Sequence, residues 1–207
     1  MKQEELNKII KLHKKWLNNE PGGIRANLSN QDLSGLDMYC AIMIYADMRC
    51  ADMTGANMIS AIMTGANISG ANMSGADMSG ANMTGAIMSG ADMTGAKNIP
   101  QHVIDMTRVV PDSGDVIGWK KCKDDVIVKL LIPSDAKRSN ATSKKCRASF
   151  VKVMKVFGAE KGISKHDGKT TYIKDEIVRC DKWNEDRFNE CSGGIHFFMS
   201  RKEAEDY

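Results

Sequence analysis

From about Ala26 to Gly95 the chain says one five-residue phrase over and over: Ala-Asp-Met-Thr-Gly, Ala-Asn-Met-Ile-Ser, Ala-Ile-Met-Thr-Gly. A fixed short period marks a solenoid and outranks other local signals. Five fits neither the 3.6 of a helix nor the 2 of a strand. It fits a chain that turns a corner once per unit and sends one large and one small residue inward each time. The large positions are Leu28, Leu33, Met38, Met43, Met48, Met53, Met58, Met63, Ile68, Met73, Met78, Met83, Met88 and Met93. Two residues before each stands an alanine, from Ala41 through Ala96, with Gln31 and Leu36 breaking the pattern earlier. The outward positions read Asp/Asn, Ser/Thr and Gly. Glycine tolerates the positive φ of a tight corner, and the polar residues suit a surface made of turns.

These units resemble the pentapeptide-repeat family, whose pattern is Ala-(Asp/Asn)-Leu-x-x. The resemblance implies a mainly β protein built on a short right-handed quadrilateral β-helix with four units per coil. Methionine stands where the family uses leucine. An unbranched, adaptable side chain keeps such a core filled, so the stripe reads as core and not as metal or cofactor ligands. Stacked coils place every twentieth residue in one column. An acidic face then carries Asp32, Asp52 and Asp92 in one column and Asp37 and Asp77 in the next. An apolar face carries Ile42, Ile44 and Ile62, with Tyr39 and Ile59 at its edge. Contiguous exposed apolar surface marks contact sites, so this face is expected to be covered by the N-terminal helix, the C-terminal domain or a second copy in a homo-oligomer.

Charge divides the chain. Residues 1–24 hold five basic and three acidic groups, residues 25–96 two against six, and residues 97–207 twenty-two against seventeen. An acidic rod and a basic tail either dock on each other or present two partner surfaces. The first residues carry no secretory signal and no apolar run is long enough to span a membrane, so no membrane partner is expected. Cys40 and Cys50, two units apart, are aimed too differently to bridge. Together with an oxidisable methionine core, this points to the reducing cytoplasm of a bacterial cell.

Residues 3–19 read as an amphipathic helix with Leu6, Ile9, Ile10, His13, Trp16 and Leu17 on one face. It suits a cap over the unpaired edge of the first coil better than a membrane-surface helix. The expected divisions are 1–24 for the capping helix, 25–96 for the repeat, 97–115 for a linker and 116–207 for a compact β-rich α+β domain. Strands are expected over 126–132, 147–156, 172–178 and 194–199, with a polar loop over 134–145. Ser200 and Glu203 open a final helix as a capping box. The phrases Gly-Trp-Lys-Lys-Cys (118–122), Lys-Cys-Arg-Ala-Ser (145–149) and Glu-Cys-Ser-Gly-Gly-Ile-His-Phe-Phe (190–198) resemble an uncharacterised domain that follows pentapeptide repeats in bacteriophage and some bacterial proteins. That resemblance implies a phage origin and no particular chemistry.

Three constellations carry candidate chemistry. Cys122, Cys146, Cys180, Cys191 and His196 offer zinc ligands, but without a Cys-x-x-Cys pair buried free thiols are the simpler reading, and no metal or cofactor is expected. Cys191 and His196 are a weak nucleophile–base pair. The basic loop of Lys137, Arg138, Lys144, Lys145 and Arg147 can grip phosphates of a nucleotide or nucleic acid, with the backbone N–H groups of Ser192-Gly193-Gly194 nearby. The expected function is a non-enzymatic binding protein, a phage accessory factor that engages or inhibits a host macromolecule such as a defence or DNA-processing protein. Some pentapeptide-repeat proteins mimic duplex DNA to bind gyrase, but six aspartates are sparse beside a charge every ~1.7 Å. The alternative is a nucleotide- or phosphate-binding (or processing) C-terminal domain displayed on an assembling β-helix.

Overall fold

A computed structural model describes all 207 residues. The chain divides into two units, Met1–Thr107 and Arg108–Tyr207.

The first unit is a β-helix. Each outward residue of the phrase pairs in parallel with the residue twenty positions on: Asn27 with Asp47, Asp32 with Asp52, Asp37 with Asn57, Ile42 with Ile62. Four units therefore make one coil. The bonding is regular, with Met48 N–H donating to Asn67 O at 2.8 Å and Asp47 N–H to Ala26 O at 3.0 Å. Every inward alanine and large residue from Ala41 to Met93 is buried, as the period requires. The corners all take positive φ. From Gly65 onward each is a glycine, while earlier coils place Asn30, Cys40, Tyr45, Cys50 and Ser60 there at φ between 52° and 61°. A side chain at such a corner costs about 1–2 kcal/mol, so the later coils are the more relaxed.

The Asp and Asn columns have a local cause. Asp32 Oδ1 accepts the N–H of Ser34 at 3.0 Å, Asp52 that of Thr54 at 3.0 Å and Asp92 that of Thr94 at 2.9 Å. Asp37 and Asp77 do the same for Tyr39 and Ser79. Each carboxylate or amide closes the turn at its own corner, which accounts for the acidic face without a partner.

Both ends of the stack are closed by histidine. Helix α1 (Gln3–Leu17) lies on the first coil. Gln3 meets Asp37 with both ends of its amide, accepting from Asp37 N–H and donating to Asp37 O, each at 2.8 Å. His13, wholly buried, accepts the Ala26 N–H on Nδ1 at 3.0 Å and pairs through Nε2 with Ile44 O at 3.1 Å. That pair of bonds demands the neutral Nε2–H tautomer. At the far end, helix α2 (Gln101–Thr107) forms within the stretch expected to be a linker. Met83 N–H finds no further coil and donates instead to His102 Nε2 at 3.0 Å. Buried orphan N–H groups cost about 1–3 kcal/mol each, and the two imidazoles remove one apiece.

Burial, with Arg25 nearby adding to it against the Ile44 contact, holds His13 below the ordinary imidazole range. A depressed histidine contributes stability that is complete above its unfolded pKa near 6.5 and is lost as pH falls below that value. Denaturation followed by Trp16, stacked on His13 at 5.4 Å, is expected to show the first unit weakening from pH 7 to pH 5. His13→Gln should flatten that slope. An unchanged slope in the variant would place the titration elsewhere.

The second unit is β-rich. Strands β1 (Val116–Lys121), β2 (Ile127–Ile132), β5 (Phe150–Phe157) and β8 (Ile177–Arg179) form one antiparallel sheet in that order. Strands β3 (Arg138–Asn140), β4 (Cys146–Ala148) and β9 (Ile195–Phe197) form a second, and β6 (Lys161–Ile163) with β7 (Thr171–Ile173) a hairpin. Val128, Leu130, Ile132, Val151, Val153, Cys146, Ala148 and Phe197 fill the core. Ser149 hands the chain from one sheet to the other: its N–H donates to Lys137 O and its carbonyl accepts from Cys180 N–H. The single strand expected over 147–156 is thereby broken in two. The strand expected over 172–178 is also two, divided at Asp175 with φ 69°. The loop expected over 134–145 contains β3. Helix α3 (Arg201–Asp206) starts with the Ser200–Glu203 capping box, as read from the sequence.

Candidate anion-binding site

Two adjoining cavities of the second unit, of about 320 and 470 Å³, share Lys120, His166, Cys191 and His196 in their walls. The larger is lined by four lysines, Lys120, Lys121, Lys145 and Lys165, and by no aspartate or glutamate side chain. Asp167 and Asp181 stand in the wall of the smaller one, with Arg179 and Lys182. Asp167 is occupied in its own loop, accepting from the Lys169 and Thr170 N–H groups and the Thr170 hydroxyl, which hold its carboxyl well below the usual range.

Lys120 defines the site. Strand β1 alternates inward and outward, and Lys120 takes an inward position, leaving it only 8% exposed. Its Nζ donates to His196 O at 3.1 Å and sits 5.5 Å from the centre of the Tyr172 ring. It has no carboxylate partner. Burial pushes its ammonium below the ordinary lysine range, with Cys122 and Asp167 opposing. A buried cation without an ion-pair partner is expensive, and an anion in the adjoining cavity would add to what Asp167 supplies.

Lys145 enters from the loop before β4. Its Nζ lies 3.7 Å from Cys191 Sγ and 3.3 Å from the Tyr207 hydroxyl. Burial works against its charge, but Tyr207, Cys191 and Glu190 outweigh it and push it up, so it remains an ammonium. His196 Nε2 pairs with Glu190 O at 2.9 Å, and burial drives the imidazole down to about 4. His196 is therefore a neutral wall residue at pH 7.

The basic loop does not converge on one ligand. Arg147 is 1% exposed and reaches carbonyls, Nη1 to Gly193 O at 2.7 Å and Nη2 to Asp186 O at 2.7 Å. It builds the cavity wall and is not free to bind phosphate. The guanidinium nitrogens of Arg138 are buried without a hydrogen-bond partner. Lys137 pairs with Glu185 and Lys144 with Glu203 at the surface. Of the five, Lys145 lines the larger cavity. Ser192, Gly193 and Gly194 do stand in the smaller one. Gly193 has to be glycine, because a Cβ there would meet Lys182 O at 2.1 Å.

The thiols separate in the same way. Burial pushes Cys122 up to about 11 and Cys146 up to about 12, while Cys180, Cys191 and His196 share the smaller cavity. No three acid, thiol or imidazole groups come together to hold a metal ion. The cation beside Cys191 is Lys145, with His196 Nε2 committed to a carbonyl. On the β-helix, Ile42, Ile44, Ile59 and Ile62 are half-buried and Tyr39 is exposed. No helix is long and apolar enough to cross a membrane.

Sequence reasoning missed Lys120, Lys121, Lys165 and His166. A lysine at an inward strand position was the available signal, but it is visible only once the register of β1 is known.

Comparison with known families places pentapeptide repeats, in eight copies, at residues 24–58 and 61–97, and a family of unknown function (DUF5758) at residues 106–204. A pentapeptide-repeat protein of the Arabidopsis thaliana thylakoid lumen is 27% identical over 36% of this chain and 63% of its own, with a TM-score of 0.25. Rfr23 of the cyanobacterium Cyanothece 51142 is 29% identical over 35% of this chain and 55% of its own, TM-score 0.25. HetL, a Nostoc pentapeptide-repeat protein involved in heterocyst differentiation regulation, is 22% identical over 36% and 50%, TM-score 0.16. The chain thus spans less than two thirds of the length of each. No curated protein matches it.

Proposed function

We propose that this chain, a pentapeptide-repeat solenoid followed by a DUF5758 domain, is a binding protein whose C-terminal unit holds a small anion bearing phosphate or carboxylate. The β-helix, right-handed and four-sided as the repeats imply, is its scaffold. The observation that carries this reading is Lys120, a buried lysine without an ion-pair partner, in the wall of a cavity lined by four lysines and no carboxylate side chain. Lys145 adds a second ammonium on the same cavity, and the volume suits a small molecule. A phage origin and a host macromolecule as target rest on resemblance alone, and no surface of either unit favours them over the anion.

The test is Lys120→Met. Replacing a buried charge by an apolar side chain of similar length is commonly neutral or stabilising, so the variant is expected to fold. Inorganic phosphate, pyrophosphate and citrate are titrated into both proteins and thermal stabilisation is read. A charged hydrogen bond contributes about 1.5–3 kcal/mol, so Kd for the anion should rise about ten- to a hundredfold. Wild-type protein that responds to none of the three anions, or a variant that binds as well as wild type, would overturn the assignment.

A further inference from the structure

We propose that Cys191 is a modification site, forming a mixed disulfide with a small anionic disulfide drawn in by the basic cavity; this rests on the anion-binding reading above. Cys191 is exposed and lies in the walls of both cavities. Lys145 Nζ stands 3.7 Å from its sulfur, so an anionic reagent drawn to that ammonium arrives beside the thiol. The ammonium is fixed from the other side by the Tyr207 hydroxyl at 3.3 Å and the Tyr207 ring at 5.4 Å. The nearest acid in sequence, Glu190, accepts from the Ser143 hydroxyl and also acts on Lys145. Behind the thiol, Lys120 supplies a buried cation with no carboxylate partner.

The exchange balances without another reagent. The thiol proton leaves to solvent and the Cys191 sulfur attacks one sulfur of the disulfide. A new S–S bond forms, the old one breaks, and the second sulfur departs with the electron pair as a thiolate. Cys191 is oxidised and the disulfide is reduced. The attached anionic half then occupies the cavity that Lys120 and Lys145 serve, so oxidation of this thiol competes with the free anion.

Cys40 and Cys50 are also exposed thiols, on the β-helix, and serve as internal controls. The full chain is treated separately with oxidised glutathione, which is anionic, and with cystamine, which is cationic, and adducts at each cysteine are timed by peptide mass spectrometry. Relative to the ratio at Cys40 and Cys50, Cys191 is expected to favour the anionic reagent about tenfold, within the range that electrostatic steering gives. Lys145→Gln should erase that preference and Lys145→Arg should keep it. Equal charge preference at all three cysteines, or a preference that survives in Lys145→Gln, overturns the proposal. Phosphate binding lost in Lys120→Met together with an indifferent Cys191 would refute the modification site and leave the anion site standing. A selective Cys191 in a protein that binds no anion would do the reverse.

Discussion

Arg147→Ala is expected to cost the C-terminal unit about 3–5 kcal/mol, the usual result of removing one member of a buried charged network. The guanidinium is held face-on to Trp183 at 4.9 Å. Its two terminal nitrogens tie down the carbonyls of Asp186 and Gly193 at 2.7 Å, with Asn184 O at 3.4 Å. Truncation removes the donor that those carbonyls share, and an acceptor left unsatisfied in the interior costs about 1–3 kcal/mol. Residues 191–194, at the end of segment 184–194, line the cavity that bears Cys191, so the anion site should be lost with the stability. Arg147→Lys should recover less than half of the loss. One ammonium on a flexible stem cannot span carbonyls that a planar fork reaches together. Denaturant titration followed by Trp183 fluorescence reads the loss. A cost under about 1 kcal/mol would mean that the segment is held by something other than this fork.

The β-helix was legible in the sequence because one decision per five residues is repeated fourteen times, and every inward alanine and methionine from Ala41 to Met93 obeys it. Even its end closure lay within reach. Met83 N–H bonds nineteen residues ahead in the coil register, and position 102 is a histidine. The C-terminal site was not legible, for a reason that Lys145 and Arg147 make plain. The two cations stand two residues apart, yet one reaches a cavity thiol and the other is buried under a loop. Charge composition alone groups them together. The difference is set by where β4 starts and by its pairing of Arg147 with His196, a partner 49 residues away. A register one residue different would exchange the faces, and no local pattern specifies it. Lys120 was hidden for the same reason, as one inward position in a strand whose partners lie elsewhere in the chain. The acidic columns are the opposite case. They were visible as a surface, but the turn bonds that explain Asp32 and Asp52 need the corner geometry.

Met73→Ala should cost the β-helix about 2–5 kcal/mol, whereas Met73→Leu should cost less than about 1.5. Met73 is fully buried in the column of Leu33, Met53 and Met93, with its own coil bonded on both sides. Met73 N–H donates forward to Asp92 O at 2.7 Å, and Asn72 N–H donates back to Ala51 O at 2.9 Å. Each coil of a solenoid touches only its neighbours, so no distant part of the unit can compensate a void in the third coil. Alanine at this position leaves a cavity between rungs whose backbone spacing is fixed by hydrogen bonds and cannot collapse. Leucine fills nearly the same volume and is the residue the repeat pattern ordinarily carries. The contrast separates shape from chemistry: if the thioether's own contacts held the column together, leucine would be as damaging as alanine. Denaturant midpoints and m-values read by far-UV circular dichroism decide between them, and equal losses in the two variants would refute a core held by volume.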